Sequence, residues 1–191
     1  METTTRTTIT ATDATEFPEG VELPWEPDPC SSPIVEDGTI RYLVHDAYSS
    51  EYDFPEGVEF VQSNSSHMRY ERDIEGWLEE VEGNPNLDVF SVGVYQHGGV
   101  SYTLAGESLH SGDQWDYCVG ACIAVPNMND GKGFTDTKEA ARAILEEYTS
   151  WCNGDVYIIV SVPIANPDTY ESVGGYIGLQ YAEEVMKAGG F

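Results

Sequence analysis

The sequence predicts an α+β fold: a mainly antiparallel sheet with two to three helices packed on it, preceded by a flexible acidic N-terminal arm. Apolar runs joined by glycine turns favour antiparallel hairpins, and two segments, 66–83 and 136–154, carry apolar residues at helical spacing. Hydrophobic residues make up 40% of the 191 positions, which is enough for a core. We expect residues 1–37 to form the arm and residues 38–191 to form a single α+β domain.

The arm is predicted from composition. Residues 1–15 are rich in Thr and have no apolar period, which is typical of a flexible terminus. Residues 16–37 contain five prolines among acidic side chains: Pro18, Pro24, Pro27, Pro29 and Pro33. Because proline lacks an amide donor and fixes φ, this composition disfavours both helix and sheet. We expect an extended, proline-stiffened acidic segment.

The domain is predicted to begin with a strand at 39–44, an acidic and aromatic loop at 46–53, and a helix capped by Ser66. Five side chains give this helix an apolar face: Tyr70, Ile74, Trp77, Leu78 and Val81. Four carboxylates lie on the opposite face: Glu71, Glu75, Glu79 and Glu82. The spacing therefore predicts an amphipathic helix with an acidic outer surface.

The central part of the chain is rich in strand patterns. Segments 88–95 and 100–104 flank His97-Gly98-Gly99, which predicts a hairpin with a glycine turn. Segment 117–125 is apolar almost throughout and predicts a buried strand.

The last third predicts a helix, two strands and a closing helix. Asp136 with Glu139 three positions later forms a capping box, and Gly154 supplies the helix C-terminus. Strands are expected at 156–162 and 173–177, and a short helix at 179–187.

Charge carries the functional prediction. The chain has 34 acidic and 8 basic side chains, a net charge of −26. Such a charge repels nucleic acid and anionic membranes, and it attracts proteins with basic surfaces, most of which handle nucleic acid. No apolar stretch is long enough for a membrane helix, and the N-terminus lacks the features of a signal peptide, so we expect a cytoplasmic protein.

The acidic residues are unevenly distributed. Residues 1–90 carry 21 acidic and 4 basic side chains, whereas residues 91–191 carry 13 and 4. Spread evenly, the excess charge would amount to about one per 350 Å², against roughly one per 110 Å² on B-DNA, so DNA mimicry requires clustering. The first half therefore holds the predicted partner-binding residues: Glu71, Glu75, Glu79, Glu80, Glu82, Asp46, Glu51 and Asp53. An ordinary solvated helix face remains the alternative.

Catalytic and metal-binding patterns are not recognisable. The four histidines lie in different predicted elements, and only His45-Asp46 and His97-Gly98-Gly99 suggest pairs to examine. The four cysteines lack the doubled short spacing of a zinc site and are expected to be mainly buried free thiols. We expect no enzymatic activity, no metal site and no cofactor.

Residues 88–181 resemble a group of small acidic proteins encoded by bacteriophages, especially those of actinobacteria. The resemblance rests on the hairpin at 94–100, the strand at 117–125, Asn-Gly-Asp-Val-Tyr at 153–157 and Gly-Gly-Tyr-Ile-Gly at 174–178. That group has no established activity, so the resemblance implies a viral source and the host cytoplasm. Small acidic phage proteins are similar in charge to DNA-mimicking inhibitors. The most acidic half of this chain lies mostly outside the resemblance.

These observations lead to one functional prediction and two alternatives. The prediction is an inhibitor that imitates the DNA phosphate backbone and occupies a basic, nucleic-acid-binding host protein of restriction or defence, repair, the nucleoid or transcription. We expect no direct contact with nucleic acid or membrane. The sequence leaves open whether the protein forms a homodimer. The alternatives are an acidic accessory protein adapted to salt or solubility, and a small enzyme with an unrecognised site.

Overall fold

The structure, a computed structural model, describes residues 7–8, 17, 20–46, 51–62, 74–107 and 116–189. Within these residues the chain forms two four-stranded antiparallel sheets, one two-stranded ladder and three α-helices. The α+β prediction is confirmed. The chain divides into two compact units: a flanking unit, Met1–Ser50 with Gly154–Phe191, and an inserted unit, Glu51–Asn153.

The elements follow in chain order. The strands are β1 (Thr7–Thr8), β2 (Glu22–Leu23), β3 (Ile34–Glu36), β4 (Thr39–His45), β5 (Glu59–Gln62), β6 (Leu87–Gln96), β7 (Val100–Leu104), β8 (Tyr117–Pro126), β9 (Val156–Pro163) and β10 (Glu171–Ile177). The helices are α1 (Ile74–Val81), α2 (Thr137–Cys152) and α3 (Leu179–Lys187), with short 3-10 turns at Met128–Asp130 and Pro167–Thr169.

The flanking unit is built on a sheet in the order β10-β9-β4-β3, with all neighbours antiparallel. Residues alternate between the two faces of a strand, so β4 contributes to two separate apolar clusters. Ile40 and Tyr42 face a cluster that includes Val21 and Leu23, whereas Leu43 faces α3. Part of the segment predicted as an arm thus lies in a core.

The inserted unit has a sheet in the order β5-β8-β6-β7 between two helices. Successive residues of β8 again point to opposite faces. Ala124 packs in a cluster with Trp77 and Val81 of α1, and Ile123 packs in a cluster with Leu145 of α2. The α1 helix therefore rests on one face of this sheet and α2 on the other.

The structure confirms the cap by Asp136 and the helix-ending glycine, whereas the Glu139 carboxylate accepts a hydrogen bond from Arg142. Asp136 is the N-cap of α2, and its Oδ1 accepts a hydrogen bond from the Glu139 amide at 3.0 Å. Gly154 follows the helix with φ of 79°, the left-handed conformation expected at a helix C-terminus. The predicted cap of α1, Ser66, lies outside the described residues.

The outer edge of β7 is covered by side chains of the inserted unit. Asn153 accepts a hydrogen bond from the Val100 amide at 2.9 Å and donates one to the Val100 carbonyl at 2.7 Å. Thr149 Oγ1 accepts a hydrogen bond from the Tyr102 amide at 2.9 Å. An uncovered edge strand is a template for pairing with another chain, and here α2 and its C-cap residue block it.

Candidate acidic interface

Helix α1 is anchored to its sheet by two side chains. Trp77 and Val81 are buried in the cluster beneath the helix. The Trp77 indole Nε1 also donates a hydrogen bond of 2.8 Å to Oε2 of Glu59 on β5. Packing fixes which side of α1 faces inward, and the hydrogen bond ties the helix to a particular strand. Its outward face is therefore determined by the sheet.

Three carboxylates share that outward face. Glu82 follows the last residue of α1, but its amide donates a hydrogen bond of 2.8 Å to the Leu78 carbonyl and so continues the helical turn. A helix turns 100° and rises 1.5 Å per residue, which places Glu75, Glu79 and Glu82 within an arc of about 60° along roughly 10 Å of helix axis. All three side chains are exposed. Glu80 is exposed as well, but it lies about 100° around the helix from Glu79. We call Glu75, Glu79 and Glu82 the α1 carboxylate line.

Basic side chains are scarce around Glu79 and Glu82. The sequence has no Lys or Arg between Arg72 and Lys132. Among the residues the structure describes, no basic side chain lies within ion-pair distance of Glu79 or Glu82. These two carboxylates keep their charge directed at solvent.

Glu107, elsewhere in the inserted unit, shows the opposite arrangement. Arg142 donates two hydrogen bonds to its carboxylate, each of 2.8 Å, and Lys138 Nζ lies 2.8 Å from Oε1. These hydrogen bonds, those from Arg142 above all, lower the pKa of Glu107 to about 2. The cations of α2 are thus held by local carboxylates, since Arg142 also contacts Glu139 at 2.9 Å.

The other predicted interface residues are placed differently. Glu51 and Asp53 are exposed in the inserted unit, before β5. Asp46 belongs to the flanking unit, and Glu71 lies outside the described residues. The structure thus brings four of the eight predicted residues together: Glu75, Glu79 and Glu80 on α1, and Glu82 directly after its last residue.

The predicted histidine pairs occupy exposed positions. His97 Nδ1 lies 2.9 Å from Asp116 Oδ2, and the His97 side chain is 73% exposed at the end of the β6–β7 hairpin. His45 contacts the carbonyl oxygen of Gly154 through Nε2. Among the described residues, no three His, Cys, Asp or Glu side chains are grouped as metal ligands.

The cysteine prediction is only partly right. Cys122 is buried and Cys152 is half-buried, and burial raises the pKa of both thiols. Cys30 and Cys118 are exposed. All four are free thiols.

A groove in the inserted unit is missing from the sequence prediction. Its volume is about 800 Å³, and its lining includes β6 residues 87–91, Leu78 and Val81 of α1, and Asp136 beside α2. One sequence signal for the groove exists: the first strand of the predicted hairpin, 88–95, is longer than the second, 100–104. The N-terminal end of the first strand therefore extends past the second strand.

Comparison with known proteins gives no relative: no family model, curated protein or solved structure matches this chain. Within the described part of the chain, no helix combines the length and apolar character needed to cross a bilayer.

Proposed function

We propose that this protein binds a basic, nucleic-acid-binding host protein through the α1 carboxylate line and inhibits it by occupying the surface that contacts DNA phosphates. The observation that carries the proposal is the alignment of Glu75 and Glu79 on one exposed face of α1 with Glu82 in the turn that continues it. A bacteriophage source, which the sequence analysis expects for residues 88–181, would place that partner in a host cell.

The charge density of the line can be compared with DNA. Three carboxylates over roughly 10 Å correspond to one charge per 5 Å, whereas each strand of B-DNA carries one phosphate per 3.4 Å. The line thus reaches about two-thirds of the linear density of one DNA strand. Glu79 and Glu82 lack a described cationic partner, so a basic protein surface gains their full charge.

The test begins with capture of a partner from bacterial lysate at low salt, elution with a salt gradient and competition with double-stranded DNA. The captured protein is then purified and its affinity measured at several salt concentrations. We expect Glu79→Gln with Glu82→Gln to weaken binding at least tenfold and to reduce the salt slope by about two, because each ionic contact contributes close to one.

A matched control removes two charges elsewhere in the same unit. Glu56 and Glu146 are exposed, and Glu56→Gln with Glu146→Gln produces the same change in net charge. Salt adaptation, the other explanation of the acidic composition, predicts that both double variants bind alike. That result, or a partner that DNA fails to displace, contradicts the proposal.

A further inference from the structure

The groove lies where β6 has a neighbouring strand on one side only. β8 pairs with β6 from Leu87 onward, but β7 pairs only from Val92. Residues 87–91 thus form an edge among the residues that the structure describes. The Leu87 amide already donates a hydrogen bond of 3.2 Å to the Asn84 carbonyl, so Val89 is the centre of the open part of this edge. All five edge residues line the groove, which also includes Cys122 of β8 on the α1 face of the sheet.

The hydrogen-bonding direction of this edge follows from one contact. The Ser91 carbonyl accepts a hydrogen bond of 2.9 Å from the Ala105 amide, just past the end of β7. Backbone groups two residues apart in a strand point to the same side. The amide and carbonyl of Val89 therefore point into the groove. The edge of β7 is covered by Asn153 and Thr149, whereas no described residue covers Val89 in this way.

The two walls of the groove differ in chemistry. Leu78 and Val81 give the α1 side an apolar wall, on the same face of the sheet as Val89, with Glu82 beside Val81. Asp88 and Asp136 are acidic and lie on the α2 side together with Phe90. The α1 side is thus mainly apolar, whereas the α2 side carries most of the acidic groups.

The charges of the acidic wall are well defined. Thr137 donates a hydrogen bond of 2.6 Å to Oδ2 of Asp88, and Asn127 donates one of 3.0 Å to Oδ1 of Asp88. Lys138 also lines the groove, but its ammonium group lies 2.8 Å from Glu107. The acidic wall therefore favours a cationic side chain.

We propose that an extended segment of the partner adds to the sheet as a strand along Leu87–Ser91, with apolar side chains toward α1 and Lys or Arg side chains toward α2. Strand addition supplies affinity through main-chain hydrogen bonds and specificity through alternate side-chain sites. This inference rests on the proposed function, because it assigns the peptide chemistry of the same basic partner.

The probe is a capped, fluorescent hexapeptide in which valine and lysine alternate. We expect saturable binding, measured by fluorescence anisotropy, and at least a tenfold slowing of hydrogen exchange at the Val89 amide, measured by NMR. A peptide with glutamate in place of lysine should bind at least tenfold more weakly. Binding without protection of Val89 contradicts strand addition.

Backbone methylation of the peptide tests the hydrogen bonds without altering the protein. Only alternate amides of an added strand face β6, so N-methylation of either the valines or the lysines should abolish binding, and methylation of the other set should not. If the peptide adds as an antiparallel strand, methylation of the valine amides should abolish binding. If it adds as a parallel strand, methylation of the lysine amides should do so. Equal effects of both sets would refute the proposal.

A protein variant separates this inference from the proposed function. Ser91 is exposed and lines the groove, so Ser91→Tyr should block the peptide, whereas Ser172→Tyr on β10 of the other unit is the control. Capture of a DNA-displaceable partner without saturable peptide binding overturns the groove proposal alone. Peptide binding with Val89 protection, but without such a partner, overturns the proposed function alone.

Discussion

Asp88 joins three parts of the inserted unit through its two carboxylate oxygens. It lies on β6 and accepts hydrogen bonds from Thr137, at the start of α2, and from Asn127, just after β8. The hydrogen bond from Thr137, followed by that from Asn127, lowers the pKa of Asp88 below its ordinary value of 3.8. The charged form is therefore favoured in the folded state.

Asp88→Asn should destabilise the protein by about 1–2 kcal/mol at pH 7, because hydrogen bonds to a charged acceptor are lost. The sign with pH follows from the lowered pKa: the contribution is complete above about 3.8 and is lost as pH falls through the folded-state value. Urea unfolding at pH 7 and pH 3 measures this. The difference between variant and wild type should shrink at pH 3, and a constant difference would contradict the assignment.

Glu107 gives a second prediction at the residue scale. Its pKa of about 2, caused first by the Arg142 hydrogen bonds, means that the carboxylate stays charged far into acid. The stability it contributes is present above its ordinary value of 4.5 and is lost only as pH falls through about 2. An NMR titration of the side-chain carboxyl carbon should show this midpoint, and Arg142→Gln should raise it. An unchanged midpoint in the variant would rule out this cause.

At the scale of elements, two edges in the sheet of the inserted unit differ in whether side chains cover their backbone groups. Asn153 uses its side-chain amide to pair with both backbone groups of Val100, and it donates a further hydrogen bond of 2.8 Å to the Thr149 carbonyl. A single residue at the end of α2 thus completes the edge of β7. The neighbouring edge, Leu87–Ser91, instead lines the groove.

Asn153→Ala should remove the cover of β7. We expect a loss of about 1–3 kcal/mol in the free energy of unfolding, since the edge amide and carbonyl lose their partners. Hydrogen exchange at Val100 should become faster while exchange at Val94, inside the ladder, stays slow. Equal acceleration at both sites would indicate general unfolding and not an opened edge.

Local sequence signals predicted the elements whose causes are local. The cap by Asp136 and the turn at Gly98-Gly99 act within a few residues, so the sequence alone shows them. The pairing of β4 with β9 joins residues more than a hundred positions apart, and no local pattern specifies it. Leu23 shows the same limit, because its proline-rich surroundings do not reveal that it packs in a core.

The same distinction between local and long-range causes applies to the candidate site. Glu75, Glu79 and Glu82 were predicted together because helical spacing alone aligns them. Glu59, which holds Trp77, was not predicted, since that contact depends on how α1 lies over β5. The groove depends on the unequal pairing of β6 with its neighbours and also required the structure.

At the scale of the whole molecule, the net charge of −26 opposes folding through self-repulsion. Each unit nevertheless buries its own apolar clusters. Both are therefore stabilised by contacts that do not depend on salt. Screening should add to this stability without being required for it.

We expect the protein to stay folded at 10 mM NaCl and its Tm to rise by roughly 2–8 °C at 500 mM, which corresponds to about 1–2 kcal/mol of relieved repulsion. Differential scanning calorimetry at both salt concentrations measures the shift. Glu79→Gln with Glu82→Gln should show a smaller rise. Unfolding at 10 mM would instead identify a salt-dependent protein.

The insertion of one unit into the other fixes the order in which they can be completed during synthesis. The central pair of the flanking sheet joins β4 to β9, with His45 opposite Tyr157, so this sheet waits for residues made after the whole inserted unit. At 5–20 residues per second, synthesis of residues 154–191 takes on the order of 2–8 s. The inserted unit, with its carboxylate line and groove, is therefore the first of the two units for which every residue has been synthesised.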